Sequence, residues 1–338
     1  NPPYVDNRQI ERELINDSSY YYSNTRSVRA NLFIYFIEKS DDILKNNGLL
    51  SFINPNQFMS TDSGLGIREL LIDNRTILSF DDVSYIDVFK DASTYTTVWF
   101  FSKRKFIESH KIRINKCISL KSLGKTTFSV SQKEISESEK KLIPLSIDYE
   151  FINQIEKGTS TILKNIATLL WGTSATGYGK LKISEETFNE LNQNDKLKFH
   201  PIVQTSDTKK FNLKWKREYI PVNIYSKRAI NEFEKEKIII GRLTKEIQAC
   251  LDINKFYVGK ATVITDTTIN LKVLLCLLNS KVANFWYYTK FETTHMAGGY
   301  LRYDIPYLEQ LPIPKIPKQI VLQKFETIAD YLIFLNDA

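Results

Sequence analysis

The alternation of helix and strand patterns in the first third of the sequence constrains the fold more than any other feature. Apolar residues recur at helical spacing from Asn31 to Leu44, and Gly48 ends that segment. The apolar run Leu49–Ile53, closed by Asn54-Pro55, predicts a buried strand. The pattern predicts a second helix over 67–72 and further strands over 76–80, 83–88 and 95–101. Alternation of this kind is typical of a doubly wound α/β sheet.

The quartet Asn1-Pro2-Pro3-Tyr4 combines a rigid backbone, an amide acceptor and an aromatic face. The two prolines restrict φ and lack backbone N–H groups, so their carbonyls project in fixed directions. A planar heterocycle with an exocyclic amino group fits this arrangement, because two oxygens can accept from the amino group while the ring stacks on Tyr4. A flipped-out base has these properties. Taken alone, the quartet is more typical of a loop that follows a strand.

Composition indicates an ordinary globular protein. The 338 residues suffice for two domains, with 42% hydrophobic and 25% charged residues. No long apolar run or signal segment is present in the sequence, which predicts a cytoplasmic protein. The three cysteines and three histidines are widely spaced, so we expect reduced thiols and no metal site. Because the first residue is not methionine, we expect a piece of a longer protein.

Charge is unevenly distributed along the chain. Residues 1–108 carry 12 lysines and arginines against 15 aspartates and glutamates, a net charge of −3. Residues 109–338 carry 34 against 24, a net charge of +10. A basic excess confined to the second part is expected of a surface that contacts the phosphates of nucleic acid, although an AT-biased genome would also raise the lysine count.

Three stretches of the second part contain candidate nucleic-acid contacts. The glycine-rich segment 172–180 contains Tyr178 and Lys180, and it is otherwise typical of a hairpin loop. Basic and aromatic residues alternate around 209–219, where the alternative is a lysine-lined edge strand. The third stretch, 298–303, follows a single apolar helix predicted over 271–288. The candidate contacts are Tyr178, Lys180, Lys209, Lys210, Lys214, Lys216, Arg217, Tyr300 and Arg302.

The quartet and the segments 31–39, 48–56 and 87–101 together resemble the second half of the gamma-class N6-adenine DNA methyltransferases, of the TaqI-like and type IIG restriction-modification kinds. The resemblance implies that Asn1 and the carbonyl of Pro2 accept hydrogen bonds from the adenine amino group, with Pro3 completing the rigid motif. It also implies that Tyr4 stacks on the flipped base and that Phe89 packs against the base from the other side. Phe89 could otherwise be a core side chain.

In that family the S-adenosylmethionine motifs precede the quartet. We therefore expect most of the cofactor pocket to lie outside this chain, in an upstream part of the same polypeptide that could also carry a nuclease domain. The chain by itself is then expected to be inactive.

The helix pattern over 271–288, the turn 298–303 and the exit Leu311-Pro-Ile-Pro314 resemble a TaqI-like target-recognition domain. We predict the second half of a Rossmann-like methyltransferase sheet over 1–108, a linker over 109–144, a mixed α+β recognition domain over 145–317 and a C-terminal helix over 318–338. Double-stranded DNA is the expected partner. Two alternatives stay open: a DNA specificity module without catalysis, and a methyltransferase of protein glutamine or RNA.

Overall fold

The computed structural model describes residues 1–5, 9, 30–86, 88–89, 95–173, 175–292, 299–315 and 319–337. It is a mixed α/β structure with several sheets, which confirms the fold class at that level. The chain divides into two compact units. The first comprises Asn1–Glu150 with Thr289–Thr294, and the second comprises Phe151–Tyr288 with His295–Ala338.

The first unit is built on a five-stranded sheet. Its elements are α1 (Leu32–Ile43), β1 (Leu49–Pro55), α2 (Leu65–Asn74), β2 (Thr76–Asp82), β3 (Thr96–Ser102), β4 (Lys111–Lys116), β5 (Phe128–Ser131) and α3 (Gln132–Glu137). The strand order is β1-β3-β2-β4-β5. Strand β3 is antiparallel to both β1 and β2, and β4 is parallel to β2. Strands β1, β2 and β4 therefore point the same way, and their carboxyl ends meet at one edge of the sheet.

One face of this sheet is covered by α1 and α2 around an aromatic core. The Trp99 ring stacks on Phe80 and Phe101, with centroid distances of 5.7 and 5.5 Å. Its indole N–H donates to Asn54 Oδ1 over 2.7 Å, so the polar atom of this buried side chain is satisfied. The amphipathic pattern of α1 follows the core, because Phe33 and Ile37 are buried while Phe36 is 43% exposed.

The prediction of a strand over 83–88 is wrong for the residues that the structure describes. Strand β2 ends at Asp82, because the Asp82 carboxylate accepts from both the backbone N–H and the hydroxyl of Ser84. A local bond of this kind competes with the strand ladder and favours a turn.

The segment predicted as a linker, 109–144, instead contributes β4, β5 and α3 to the first unit. Ile112 and Ile114 of β4 are fully buried. The side chain of Gln132 donates to the carbonyls of Ile72 and Arg75, which ties α3 to the end of α2. Strands β4 and β5 alternate apolar with polar residues over a short length, and the polar composition of the segment favoured the linker assignment.

The second unit consists of helices and of short strands that form several small sheets. Its helices are α4 (Tyr149–Lys157, which begins in the first unit), α5 (Glu185–Glu190), α6 (Gln193–Lys196), α7 (Lys227–Phe233), α8 (Leu271–Asn279), α9 (Lys281–Lys290), α10 (Ile305–Leu308) and α11 (Gln319–Asp337). Its strands are β6 (Thr161–Ile162), β7 (Thr168–Trp171), β8 (Ile183–Ser184), β9 (Phe199–Val203), β10 (Thr208–Lys209), β11 (Asn212–Leu213), β12 (Glu218–Pro221), β13 (Lys237–Gly241), β14 (Leu243–Thr244), β15 (Ala249–Asp252), β16 (Tyr257–Val258), β17 (Ala261–Thr265), β18 (Leu301–Arg302) and β19 (Pro312–Ile313).

Two four-stranded sheets form the centre of this unit, with orders β15-β13-β17-β7 and β16-β9-β12-β8. Strands β13 and β17 are buried along their whole length, which accounts for the apolar runs Ile238–Ile240 and Val263–Ile264 within them. A buried ion pair joins Lys237 to Asp252 over 2.6 Å. Gly172 follows β7 where the chain passes Val258 and Gly259 so closely that a Cβ would lie 1.9 Å from the Gly259 carbonyl oxygen.

The single helix predicted over 271–288 is wrong, because the structure has two helices that meet at Ser280. The Asn279 side chain both accepts from and donates to the backbone of Ala249 in the neighbouring strand β15. The Ser280 hydroxyl accepts from Ala283 N–H at the start of α9. These polar contacts stop one helix and cap the next. Among the described residues, no helix is long and apolar enough to cross a membrane.

Candidate functional site

The quartet lies near the carboxyl end of β1. The Tyr4 hydroxyl donates to the carbonyl of Ile53 over 3.1 Å. The carbonyl of the next residue, Val5, accepts from Leu32 N–H at the start of α1 over 3.0 Å. The quartet is therefore held between a strand end and a helix start, at the edge where sheets of this type bind ligands.

Tyr4 and Phe89, both half-buried, contact each other at this edge. Their ring centroids are 6.0 Å apart and the rings meet edge to face at 84°. Burial raises the pKa of Tyr4, so its phenol stays a hydrogen-bond donor at neutral pH. Pro2 is buried, whereas Asn1 and Pro3 are exposed. The structure thus brings Phe89 to the quartet; Asp87 and residues 90–94 of the same motif lie outside the described residues.

A polar chain of side chains at this edge was not found from the sequence. The Asn56 side chain donates to Ser84 Oγ over 3.2 Å, and Ser84 in turn donates to Asp82. Burial raises the pKa of Asp82, while the two hydrogen bonds from Ser84 oppose that shift. The only sequence signal is that Asn56 directly follows a predicted strand end. These hydrogen-bonded side chains link the end of β1 to the end of β2, and β3 lies between the two strands in the sheet.

A second group lies where β4 ends at the same edge. Lys116 is paired with Asp82 in the β2–β4 register, and its ammonium lies 2.5 Å from Glu292 Oε1. The Tyr85 hydroxyl donates to the same oxygen over 3.2 Å. Two buried acceptors of the first unit, Asn56 Oδ1 and Glu292 Oε2, have no hydrogen-bond partner among the described residues.

The second unit contains an open groove of about 1080 Å³ whose walls are largely cationic and polar. Four of the predicted DNA contacts line it, namely Tyr178, Lys209, Tyr300 and Arg302. Other lining residues were not predicted, and these are Gln204, Thr205, Ser206, Arg242, Leu243, Thr244, Lys245, Glu246, Gln248 and Lys260. The sequence could not identify them because they come from separate short strands and turns.

The groove contains both exposed lysines and a more firmly held arginine. Lys209, Lys245 and Lys260 are exposed, and the Lys245 ammonium lies 5.6 Å from the centroid of the Tyr300 ring. Arg242 is fixed on two sides. Its Nε lies 2.7 Å from Asp304 Oδ1, and its guanidinium carbon is 4.8 Å from the centroid of the Trp171 ring.

Tyr178 serves as a wall of the groove and is 6% exposed. Its hydroxyl donates to Gln204 Oε1 over 2.9 Å and accepts from Lys260 N–H over 3.2 Å. Its role as a direct DNA contact stays a prediction.

The other predicted cations do not line the groove. Lys180 and Lys214 are exposed. Three more already have acidic partners: Lys210 lies 2.5 Å from Glu246, Lys216 lies 3.1 Å from Asp207, and Arg217 lies 3.0 Å from Glu185.

The cysteines are free, with Cys117 and Cys250 buried and Cys276 half-buried. Burial raises the pKa of Cys117 and of Cys276 to about 11, which makes neither thiol a nucleophile at neutral pH. Within the described part of the chain, no group of three or more histidines, cysteines or carboxylates could hold a metal ion.

Two protein families match separate segments of the chain. Residues 1–89 match the Eco57I restriction-modification methylases. Residues 200–313 match the TaqI-like C-terminal specificity domain. The chain thus joins a segment similar to restriction-modification methylases to a segment similar to a TaqI-like specificity domain. The resemblance stated from the sequence is confirmed.

Two restriction-modification proteins are similar to about a third of the chain. The chain is 30% identical over 105 residues to the type II restriction enzyme and methyltransferase RM.Eco57I of Escherichia coli, a match that covers 30% of this chain and 10% of that protein. It is 27% identical over 110 residues to the type II methyltransferase M.BstVI of Geobacillus stearothermophilus, which covers 32% of this chain and 19% of that protein. The match thus spans a fifth or less of either relative.

Solved restriction-modification structures share the fold. The type IIL enzyme MmeI in complex with DNA has a TM-score of 0.65 at 12% identity, over 99% of this chain and 49% of that chain. A nuclease-deletion mutant of the type ISP enzyme LlaGI, bound to a DNA substrate mimic, has a TM-score of 0.51 at 11% identity, over 99% of this chain and 34% of that chain.

Proposed function

We propose that this chain is part of a site-specific DNA adenine-N6 methyltransferase of the type IIG restriction-modification kind. The observation that carries the proposal is the contact of Tyr4 with Phe89 beside Asn1 and Pro2, at the carboxyl edge of the first sheet. In this proposal the target adenine leaves the duplex, stacks on Tyr4 and is packed from the other side by Phe89. The methylase match over residues 1–89 supports it.

The chemistry follows from the properties of the adenine amino group. Its nitrogen lone pair is delocalised into the ring, which makes it a poor nucleophile. Acceptance of its two hydrogens by Asn1 Oδ1 and the Pro2 carbonyl favours a pyramidal nitrogen and stabilises the positive charge that develops there. Because Pro2 is buried and prolines hold φ in a narrow range, that carbonyl needs little reorganisation. The aromatic contact offsets part of the cost of unstacking the base.

S-adenosylmethionine supplies the methyl group in the proposed reaction. In the family that the sequence resembles, the S-adenosylmethionine motifs precede the quartet. The described residues of the first unit leave two buried acceptors without a partner, Asn56 Oδ1 and Glu292 Oε2. We therefore propose that the cofactor is held mainly by residues upstream of this chain in the same polypeptide. A nuclease domain elsewhere in that polypeptide would complete a restriction-modification enzyme.

We propose further that the second unit binds double-stranded DNA through its groove. Lys209, Lys245 and Lys260 would contact phosphates, and the polar residues between them would face base edges. The specificity-domain match over residues 200–313 supports this assignment. A protein that modifies DNA in this way would act in the cytoplasm.

The groove also favours a second candidate, a DNA specificity module that reads sequence without catalysis. Both candidates are tested by incubating the full-length protein that contains this chain with duplex DNA and S-adenosylmethionine labelled in its methyl group. Label on adenine N6 at one short sequence supports the methyltransferase. In a second assay, the 338-residue chain is used to select from random duplex DNA. Enrichment of one sequence in that selection, without methyl transfer by the full-length protein, supports the specificity module. Label on RNA or protein instead would contradict both.

A further inference from the structure

Glu292 occupies an unexpected position in the molecule. It falls within the range matched to the specificity domain, yet it belongs to the first compact unit. It lies 207 sequence positions from Tyr85, whose hydroxyl donates to Glu292 Oε1 over 3.2 Å. Lys116 Nζ lies 2.5 Å from the same oxygen and 5.0 Å from the centroid of the Tyr85 ring. Three distant segments therefore meet at Tyr85.

Tyr85 is part of the connection between β2 and Phe89, here called the Phe89 loop (residues 83–89, of which Asp87 lies outside the described residues). Ser84 fastens the start of this loop to Asp82 and Asn56. Two backbone bonds follow, from Ile86 N–H to Val83 and from Val88 N–H to Ile86. Tyr85 is 54% exposed, so packing alone does not hold it. Among the described residues of the loop, Tyr85 bonds through Glu292 to a segment distant in sequence, shortly before Phe89 contacts Tyr4.

The electrostatics favour a rigid anchor. Glu292 is 8% exposed, and Lys116 supplies the opposite charge at hydrogen-bond distance. Charge-assisted hydrogen bonds of this kind are stronger than neutral ones. Glu292 raises the pKa of Lys116 against the lowering effect of burial, which keeps the ammonium charged. A buried carboxylate held by a lysine has little freedom to move, so it can orient the tyrosine hydroxyl.

We propose that Glu292 is a positioning residue for base binding: through Tyr85 and Lys116 it holds the Phe89 loop where Phe89 can pack against a base stacked on Tyr4. The inference rests on the proposed adenine pocket and deepens it. Glu292 would then support the proposed adenine pocket, although it lies in the sequence range that matches the specificity domain. Removal of the anchor leaves the quartet intact and lets Phe89 move, and displacements of about 1 Å at such sites can cost roughly 100-fold in rate.

The first experiment measures amide hydrogen exchange in the 338-residue chain and needs no catalysis. The variants are E292Q and Y85F, which keep side-chain shape and remove the charge or the hydroxyl. The matched control is E108Q, because Glu108 also pairs with a lysine, Lys133 at 3.0 Å, but its side chain is 85% exposed. We expect exchange at Ile86 and Val88 to become about tenfold faster in both anchor variants and to stay unchanged in E108Q. Equal exchange in all three variants would overturn the anchor.

The second experiment uses the full-length protein with two duplexes. One carries 2-aminopurine in place of the target adenine, and its fluorescence rises on unstacking. The other keeps the target adenine for the methylation assay, because 2-aminopurine has no N6 amino group. We expect E292Q to lower the fluorescence gain and kcat for methylation by roughly 10- to 100-fold, with KM for DNA nearly unchanged. Y85F should lower both less, and the double variant should match E292Q because the two groups act in one path. A loss that appears in KM alone would contradict a positioning role.

The two experiments separate this inference from the proposed function. If the unsubstituted full-length protein neither unstacks nor methylates adenine, the proposed function fails, and the exchange measurement still decides whether Glu292 anchors the loop. If the unsubstituted protein methylates adenine and E292Q behaves like E108Q, the proposed function stands and the positioning role is wrong.

Discussion

The two candidate sites are built in opposite ways. The carboxyl edge of the first unit places a few side chains on buried supports: the Tyr4 hydroxyl is bonded to a strand carbonyl, and Asn56 and Asp82 are buried. The groove of the second unit presents exposed cations from a short strand and from bends, among them Lys209, Lys245 and Lys260. The first arrangement fixes geometry, while the second supplies charge.

This difference separates two kinds of work. A reacting amino group requires acceptors within a few tenths of an ångström of one position, so each fixed group matters greatly. Phosphates along a duplex are met by flexible chains, and each contact contributes a similar, salt-dependent increment. One substitution at the carboxyl edge should therefore abolish nearly all of the reaction rate. In the groove, each substitution should lower DNA affinity by a similar small amount.

The largest effect is expected at the quartet. In the full-length protein, Asn1→Ala or Tyr4→Ala should lower the methylation rate by about 1000-fold or more, because a fixed acceptor or the stacking face is removed. Sequence-specific DNA binding should stay within about tenfold. Single-turnover methyl transfer measures the methylation rate, and equilibrium binding measures the affinity for DNA. Tyr331→Ala, at an exposed tyrosine of α11, is the control. A parallel fall in binding and rate would remove the contrast between the units.

The next effect concerns the support of the first site. Arg68 is fully buried and donates to the carbonyls of Phe58, Thr61 and Lys140, which shape the turn after β1. Arg68→Met leaves these carbonyls without that donor, so we expect unfolding free energy to fall by about 3 kcal/mol. Chemical denaturation of the 338-residue chain measures it, and Lys133→Met at the surface should change it by under about 0.5 kcal/mol. If Arg68→Met and Lys133→Met lower the unfolding free energy equally, the hydrogen bonds of Arg68 do not stabilise the first site.

A smaller and graded effect is expected in the groove. Changing Lys209, Lys245 and Lys260 to glutamine should weaken DNA binding about tenfold and lower the salt slope by roughly 0.9 for each phosphate that is no longer neutralised. The comparison set is Lys214, Lys216 and Arg217, also changed to neutral residues. Two of these already have acidic partners, so the slope should change less. Titration of binding against salt concentration distinguishes the sets, and a larger change in the comparison set would move the interface away from the groove.

The smallest effect is expected at Tyr178. Tyr178→Phe removes the hydroxyl that joins Gln204 to the backbone of Lys260, which should cost about 1 kcal/mol of stability. Because the ring stays in place, DNA affinity should change by less than about threefold. A thermal unfolding scan and one binding isotherm suffice. A tenfold loss of affinity without loss of stability would instead make the hydroxyl a direct DNA contact.

Much of the first unit was predictable because its signals are local. The helix α1, the strand β1 and the strand β3 follow from periodicity and from stop signals within a few residues. The contribution of 109–144 to the first unit and the break at Ser280 were missed, because both depend on contacts between residues distant in sequence. The side chain of Gln132 bonds to the carbonyls of Ile72 and Arg75, and Asn279 contacts a strand distant in sequence.

The sequence by itself determined the quartet, the order of helices and strands near it, and the basic excess of the second part, since these depend on residue types and their neighbours. Tertiary structure alone decided that Phe89 meets Tyr4, that Glu292 returns to hold Tyr85, and that Arg242, Lys245 and Lys260 share one groove. The physical reason is that hydrogen bonds and ion pairs act over a few ångströms of space, and only the folded chain brings residues separated by up to 207 positions within that range.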